Sequence, residues 1–135
     1  MVWAGRIAIM VLPDEVDLSN ADQMRQDLLA VAAQDASLLI ADMTATTFCD
    51  SAGVRALVQT ARKLREGGTG LQVAASTPAV TRVLAITGVD RLIEVYPSVA
   101  AAMANSGIQA AGLDQVARPG PAGQADPDGR APQPG

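Results

Sequence analysis

Histidine is absent from this sequence. That removes imidazole general acid–base catalysis, Ser-His-Asp and Cys-His nucleophile systems, and any metal site built on imidazole. A single cysteine, Cys49, leaves a thiolate zinc site without ligands, forbids an internal disulfide and suits a reducing cytoplasm. Aromatic residues make up only 2% of the chain although 49% of it is hydrophobic, so the core has to be aliphatic. No apolar run approaches the roughly 20 residues of a membrane span. The N-terminal MVWAGRIAIMVLPDE is too short and too soon acidic for a secretory signal. Positive charge is sparse as well. Ten Lys and Arg against 14 Asp and Glu give a net charge of −4, with no basic cluster to hold nucleic acid or an anionic membrane surface.

What is present reads as an α/β domain. The 135 residues suffice for one core and a tail. Residues 6–12 (RIAIMVL), bounded by Gly5 and Pro13, predict a strand, with Trp3 at its approach. PDEVDLSNAD is a turn-rich connection in which Ser19 and Asp22 give an N-cap signal. A first helix follows over about 20–33, with Met24, Leu28 and Val31 on its inner face. Residues 38–41 predict a short buried strand. A second helix over 51–65 carries an inward stripe of Val54, Leu57, Val58, Ala61 and Leu64, with Arg55 facing away. The run from Glu66 to Gly70 turns the chain, and residues 71–75 form the next strand. Pro78 opens a third helix that ends at Gly88. A last strand over 92–95 and a small helix over 99–104 complete the pattern. Strands alternating with helices imply a mostly parallel sheet of four to five strands with about four helices, one face better covered than the other. The domain is expected to span 1–107. In 108–135 the pattern is lost. Half of residues 118–135 are Pro or Gly, a composition expected to be disordered.

The most informative stretch is LLIADMTATTFCDSAGV, residues 38–54. A buried strand ends in Asp42, a polar loop follows, and Asp50 and Ser51 stand where the second helix begins. One serine hydroxyl is thereby set at a helix mouth, where backbone N–H groups and the helix dipole favour a phosphate. Ser51 is either a cap, a task Asp50 performs better, or an acceptor of phosphate. Gly53 serves either the close approach of a phosphate or partner, or packing. Asp42 lacks the second aspartate that haloacid-dehalogenase-like phosphatases place two residues on. A metal there would need more carboxylates, so a structural or interface role is expected. Asp17 has the choice between loop hydrogen bonding and partner contact. Cys49, in an apolar approach to the helix, reads as a small buried residue rather than a redox sensor. The sequence FCDSAG lacks the first glycine of G-x-S-x-G and has no histidine to activate the serine. The run Gly67-Gly68-Thr69-Gly70 lacks the ending of a P-loop and reads as a turn.

These residues resemble the central motif of STAS domains, in particular the bacterial anti-sigma factor antagonists. Asp50, Ser51 and Gly53 match the family's Asp-Ser-(Ser/Thr)-Gly element, Asp42 its strand-end acid, and Glu15-Val16-Asp17 its Glu-Leu-Asp. The match runs over roughly residues 5–105. Ala52 stands where many antagonists carry Ser or Thr, which leaves Ser51 the one hydroxyl at the site. Asp14 replaces the usual glycine, which implies a looser turn and one more negative charge if that loop lies near Ser51. The resemblance implies a partner-switching cycle. The unmodified protein binds an anti-sigma factor serine kinase and thereby frees the sigma factor. The kinase phosphorylates Ser51, the complex dissociates, and a protein phosphatase acting on phosphoserine resets it. It further implies a partner-binding face of Asp17, Asp42, Asp50, Ser51, Gly53 and Arg55. The chain is then expected to be a cytoplasmic monomer, with no enzymatic activity, metal or cofactor of its own. Two rivals stand beside this. One is an accessory STAS subunit of an ABC-type or anion transport system, a scaffold without phosphorylation. The other is a small nucleotide-binding module, which no phosphate loop or base-stacking aromatic supports.

Overall fold

The computed structural model describes residues 1–111 of the chain. They contain a five-stranded sheet, a separate two-stranded sheet and four α-helices. In chain order the elements are β1 (Val2–Ala4), β2 (Ile7–Val11), β3 (Glu15–Val16), α1 (Ala21–Ala32), β4 (Leu38–Asp42), β5 (Phe48–Cys49), α2 (Ser51–Glu66), β6 (Gly70–Ala74), α3 (Pro78–Ile86), a 3-10 turn (Val89–Arg91), β7 (Glu94–Tyr96) and α4 (Val99–Ala111). The chain divides into a compact unit of residues 1–102 and a second unit beginning at Met103.

The large sheet has the order β1-β2-β4-β6-β7. β2, β4, β6 and β7 run parallel, and β1 pairs antiparallel with β2 across a tight turn in which Gly5 takes φ +62°. That conformation is open to glycine at little steric cost. In register, Leu39 lies between Ala8 and Leu71, and Ala41 between Met10 and Val73. These side chains join one aliphatic core with Met24 and Leu28 of α1, Leu57 and Leu64 of α2, and Val80 and Leu84 of α3. On the opposite face Ile40 and Ala74 are buried while Val11 is exposed, so cover there is uneven. Thr60, buried in α2, returns its hydroxyl to the Ala56 carbonyl (2.7 Å), which spares the core an unpaired polar group.

Several elements depart from expectation. β1 is a full partner of β2 and not merely its approach. Three residues beside a glycine carry too little alternation to show as a strand. The last strand is Glu94–Tyr96 rather than 92–95, because a 3-10 turn consumes residues 89–91 and leaves Leu92 exposed and Ile93 buried. α4 continues through Asn105-Ser106-Gly107 to Ala111. Residues 108–111, expected to open the tail, are therefore helical, and the rest of the expected tail, 112–135, lies outside the described residues. At the start of α1 the cap position falls on Asn20, not Ser19. Asn20 turns its amide back to accept from Asp17 N–H (2.9 Å) and to donate to the Glu15 carbonyl (2.8 Å). The Ser19 hydroxyl is spent on Asp17.

Candidate functional site

The two-stranded sheet builds the site. β3 and β5 run parallel, with Glu15 opposite Phe48 and Val16 opposite Cys49. Three further bonds extend this short ladder. Thr47 N–H donates to the Asp14 carbonyl (2.7 Å), Asp50 N–H to the Val16 carbonyl (3.1 Å), and the Thr46 hydroxyl to the Pro13 carbonyl (2.8 Å). Thr46 is completely buried, so its hydroxyl needs that partner. The segment carrying Asp17 is thereby joined to the segment carrying Asp50 and Ser51. The loop of Asp14 does lie beside this region, as its bond to Thr47 requires.

Asp50 is the N-cap of α2. Its backbone is extended, and Oδ1 accepts from the N–H groups of Ala52 (2.9 Å) and Gly53 (3.1 Å). Capping therefore belongs to Asp50, and Ser51 is the first helical residue. Ser51 is exposed, and its hydroxyl makes no hydrogen bond among the described residues. One expectation changes. Two of the amides expected to receive a phosphate, those of Ala52 and Gly53, are already held by a carboxylate.

Gly53 sits where α2 crosses the two-stranded sheet. A Cβ there would stand 2.7 Å from Val16 Cγ1, 2.8 Å from Cys49 Sγ and 3.3 Å from the Val16 carbonyl oxygen. Of the two roles open to Gly53, packing is the one with a visible cause. The helix lies too close to β3 and β5 for any side chain.

Cys49 is buried under the same contact. Desolvation, and then the negative charge of Asp50, push its thiol up to about 11 from an ordinary value of 9.0. A thiol held neutral and covered is a poor nucleophile. In the native protein Cys49 is expected to resist an alkylating reagent at pH 8 and to react at once in denaturant. Because the folded form holds the proton more tightly, stability is complete below about pH 9 and declines as pH rises toward about 11. Rapid labelling of the native protein would show that the helix does not cover the sulfur.

Asp17 is half-buried in the turn between β3 and α1. Its Oδ1 accepts from the Ser19 hydroxyl (2.5 Å) and the Ser19 N–H (2.9 Å), and these bonds hold its carboxyl below the usual carboxylate range. Its backbone carbonyl accepts from Ala21 N–H (2.8 Å). Loop hydrogen bonding is thus a role Asp17 fills, and one carboxylate oxygen stays available. Asp42 ends β4 and closes its own turn, with Oδ1 accepting from the Thr44 hydroxyl (2.7 Å) and N–H (3.0 Å). It has no bond to Asp17, Asp50 or Ser51 among the described residues. Arg55 lies one turn beyond Ser51 on α2, exposed and without an ion pair among the described residues. The fold thus gathers Asp17, Asp50, Ser51 and Gly53, sets Arg55 at their margin, and ties Asp42 into a separate turn.

Leu18 and Phe48 did not stand out in the sequence as site residues, yet both are exposed within these same segments. Phe48 had a signal in plain view, being the chain's one phenylalanine in an otherwise polar loop. Among the described residues no group of three or more His, Cys, Asp or Glu could hold a metal ion, and no helix is long and apolar enough to cross a membrane.

Comparison with known proteins places this geometry. The STAS domain family model matches residues 2–102. An anti-sigma factor antagonist from Mycobacterium paratuberculosis superposes with a TM-score of 0.71 at 29% identity, over 77% of this chain and 88% of that one. A sulfate transporter family protein from Wolinella succinogenes gives 0.71 at 18% identity, over 82% and 92%. The phosphorylated form of the Bacillus cell fate determinant SpoIIAA gives 0.60 at 18% identity, over 78% and 96%. At 18% identity the last two likenesses speak for the fold alone.

Proposed function

The chain belongs to the STAS domain family, and on that premise we propose that it is an anti-sigma factor antagonist, switched off by phosphorylation of Ser51. Unmodified, it binds an anti-sigma factor serine kinase and releases the sigma factor. Phosphorylated, it leaves the kinase until a phosphoserine phosphatase restores it. In this role the chain is a regulatory protein of the cytoplasm and a substrate of its partner, and it catalyses nothing itself.

The observation that carries the proposal is the free hydroxyl of Ser51. It is exposed at the first position of α2, makes no hydrogen bond among the described residues, and follows the ordered carboxylate of Asp50, on a segment that the Asp50 N–H bond to Val16 joins to that of Asp17. A serine serving only the helix would be at the cap, and that place is taken. The likeness at 29% identity to a protein described as an anti-sigma factor antagonist favours this role over that of a transporter subunit, for which the likenesses are 18–21%.

The test is phosphorylation by a purified anti-sigma factor serine kinase with ATP, followed by intact mass and peptide mapping. One phosphate on Ser51 is expected, and none on Ser51→Ala, which should still bind the kinase. Undiminished phosphorylation of Ser51→Ala would remove the assignment. A transporter ATPase that binds the chain with no phosphate reaching Ser51 would favour the scaffold role.

A further inference from the structure

We propose that Leu18 and Phe48 are the apolar anchors of the docking surface around Ser51, and that the partner meets them with an apolar hollow rimmed by lysine and arginine. The proposal rests on the function assigned above and specifies the chemistry of the partner's side.

Side chains alternate along a strand. In β3 and β5 the buried members are Val16 and Cys49, so Glu15 and Phe48, which face each other in register, lie on the outer side. Phe48 is 48% exposed and Leu18 81% exposed. Neither side chain belongs to the core cluster, so the core does not require large apolar groups at these positions. Both lie in segments that the ladder of β3 and β5 clamps beside Ser51. Isolated exposed apolar residues are common, but two carried on the joined segments that also bear the modifiable hydroxyl fit the role of interface anchors.

Charge selects the occupant. Residues 13–20 and 44–54 contain Asp14, Glu15, Asp17 and Asp50 and not one Lys or Arg. Arg55, exposed at the margin, is the counter-charge; with Asp14, Glu15, Asp17 and Asp50 against that guanidinium, the surface is acidic on balance and complements a mainly basic rim around an apolar hollow. It repels an acidic one. A second copy of this chain would present the same carboxylates to themselves, and an anionic membrane is disfavoured for the same reason.

The test uses the full chain and the purified kinase that modifies Ser51, with ADP present so that no transfer occurs, read by calorimetric titration. Leu18→Ser and Phe48→Ser are each expected to weaken binding by about tenfold or more, whereas Val2→Ser, an exposed aliphatic change on the edge strand β1, alters it by less than about twofold. Raising the salt from about 50 to about 300 mM should weaken the wild-type complex several-fold. Phe48→Ser can disturb β5, so thermal unfolding is followed for every variant. Leu18→Ser, in a turn and largely in solvent, keeps the test decisive. Binding of Leu18→Ser and Phe48→Ser within about twofold of wild type overturns the anchors, and salt-independent binding overturns the basic rim. A wild-type chain that is phosphorylated on Ser51 while these variants bind normally refutes the anchors and leaves the function standing. A wild-type chain that no serine kinase binds or phosphorylates removes the function, and the anchors with it.

Discussion

Substituting Gly53 by alanine is expected to destabilise the domain, and substituting it by valine to destabilise it severely. The first added carbon would meet Val16 Cγ1 at 2.7 Å and Cys49 Sγ at 2.8 Å, distances real Cβ atoms essentially never show. A flexible side-chain end can yield, but the Val16 carbonyl at 3.3 Å belongs to the backbone and already accepts the Asp50 amide. Relief therefore has to come from lifting α2 off the two-stranded sheet. Overpacking of this kind costs about 1–3 kcal/mol. The gain in helix propensity on leaving glycine returns at most about 1 kcal/mol. Taking the middle of the overpacking range, alanine should then give a net loss of about 1 kcal/mol or more, and valine a larger one, since its two further methyls enter the same gap. Denaturant unfolding measures the loss. The same displacement would part Asp50 from Val16, so binding should fall beyond what stability alone explains. An alanine variant as stable as the wild type would mean that the helix does not press on β3 and β5.

Phosphorylating Ser51 is expected to weaken kinase binding by about a hundredfold or more, equivalent to about 2.7 kcal/mol. The added group brings about −1.5 to −2 charges. The amides of Ala52 and Gly53, the obvious recipients, are already bonded to Asp50. The phosphate must either displace that cap, at a cost of about 0.5–2 kcal/mol, or remain beside the Asp50 carboxylate and add its charge to an interface whose proposed basic rim the carboxylates already engage. Ser51→Asp, with half the charge and a different reach, should reproduce only part of the loss. Titration of both chemical forms against the same kinase decides the matter, and equal affinities would end the switching mechanism. Amide shifts of Ala52 and Gly53 on phosphorylation would tell which of the two routes the charge takes.

Much of this was legible in the sequence because it rests on local chemistry. The aliphatic runs at β2, β4 and β6 and the stripes of α1 and α2 are periodic patterns, and the structure follows them within a residue or two. Asp50-Ser51 at the mouth of α2 was legible because an acid before a helical pattern is a cap signal. The pairing of β3 with β5 was not. Two-residue strands have no period, and their partners lie more than 30 residues apart. The function of Gly53 depends on that pairing, so packing and ligand approach stayed equal until Val16 was brought against it. For the same reason Asp17 was placed near the site only through the family resemblance. Ser19 misled because its hydroxyl, apt for a cap, had a nearer acceptor in Asp17.

The clamp between β3 and β5 has one more consequence. The Thr46 hydroxyl reaches Pro13 across 33 positions of chain, and the Asp50 amide reaches Val16 over a similar span. The frame around Ser51 is therefore discontinuous in sequence, assembled only after tertiary structure has formed. A short peptide centred on Ser51 would carry the acceptor oxygen and nothing of the frame, and a nascent or misfolded chain would be in the same position. If the kinase requires this frame, it modifies only chains that have already folded.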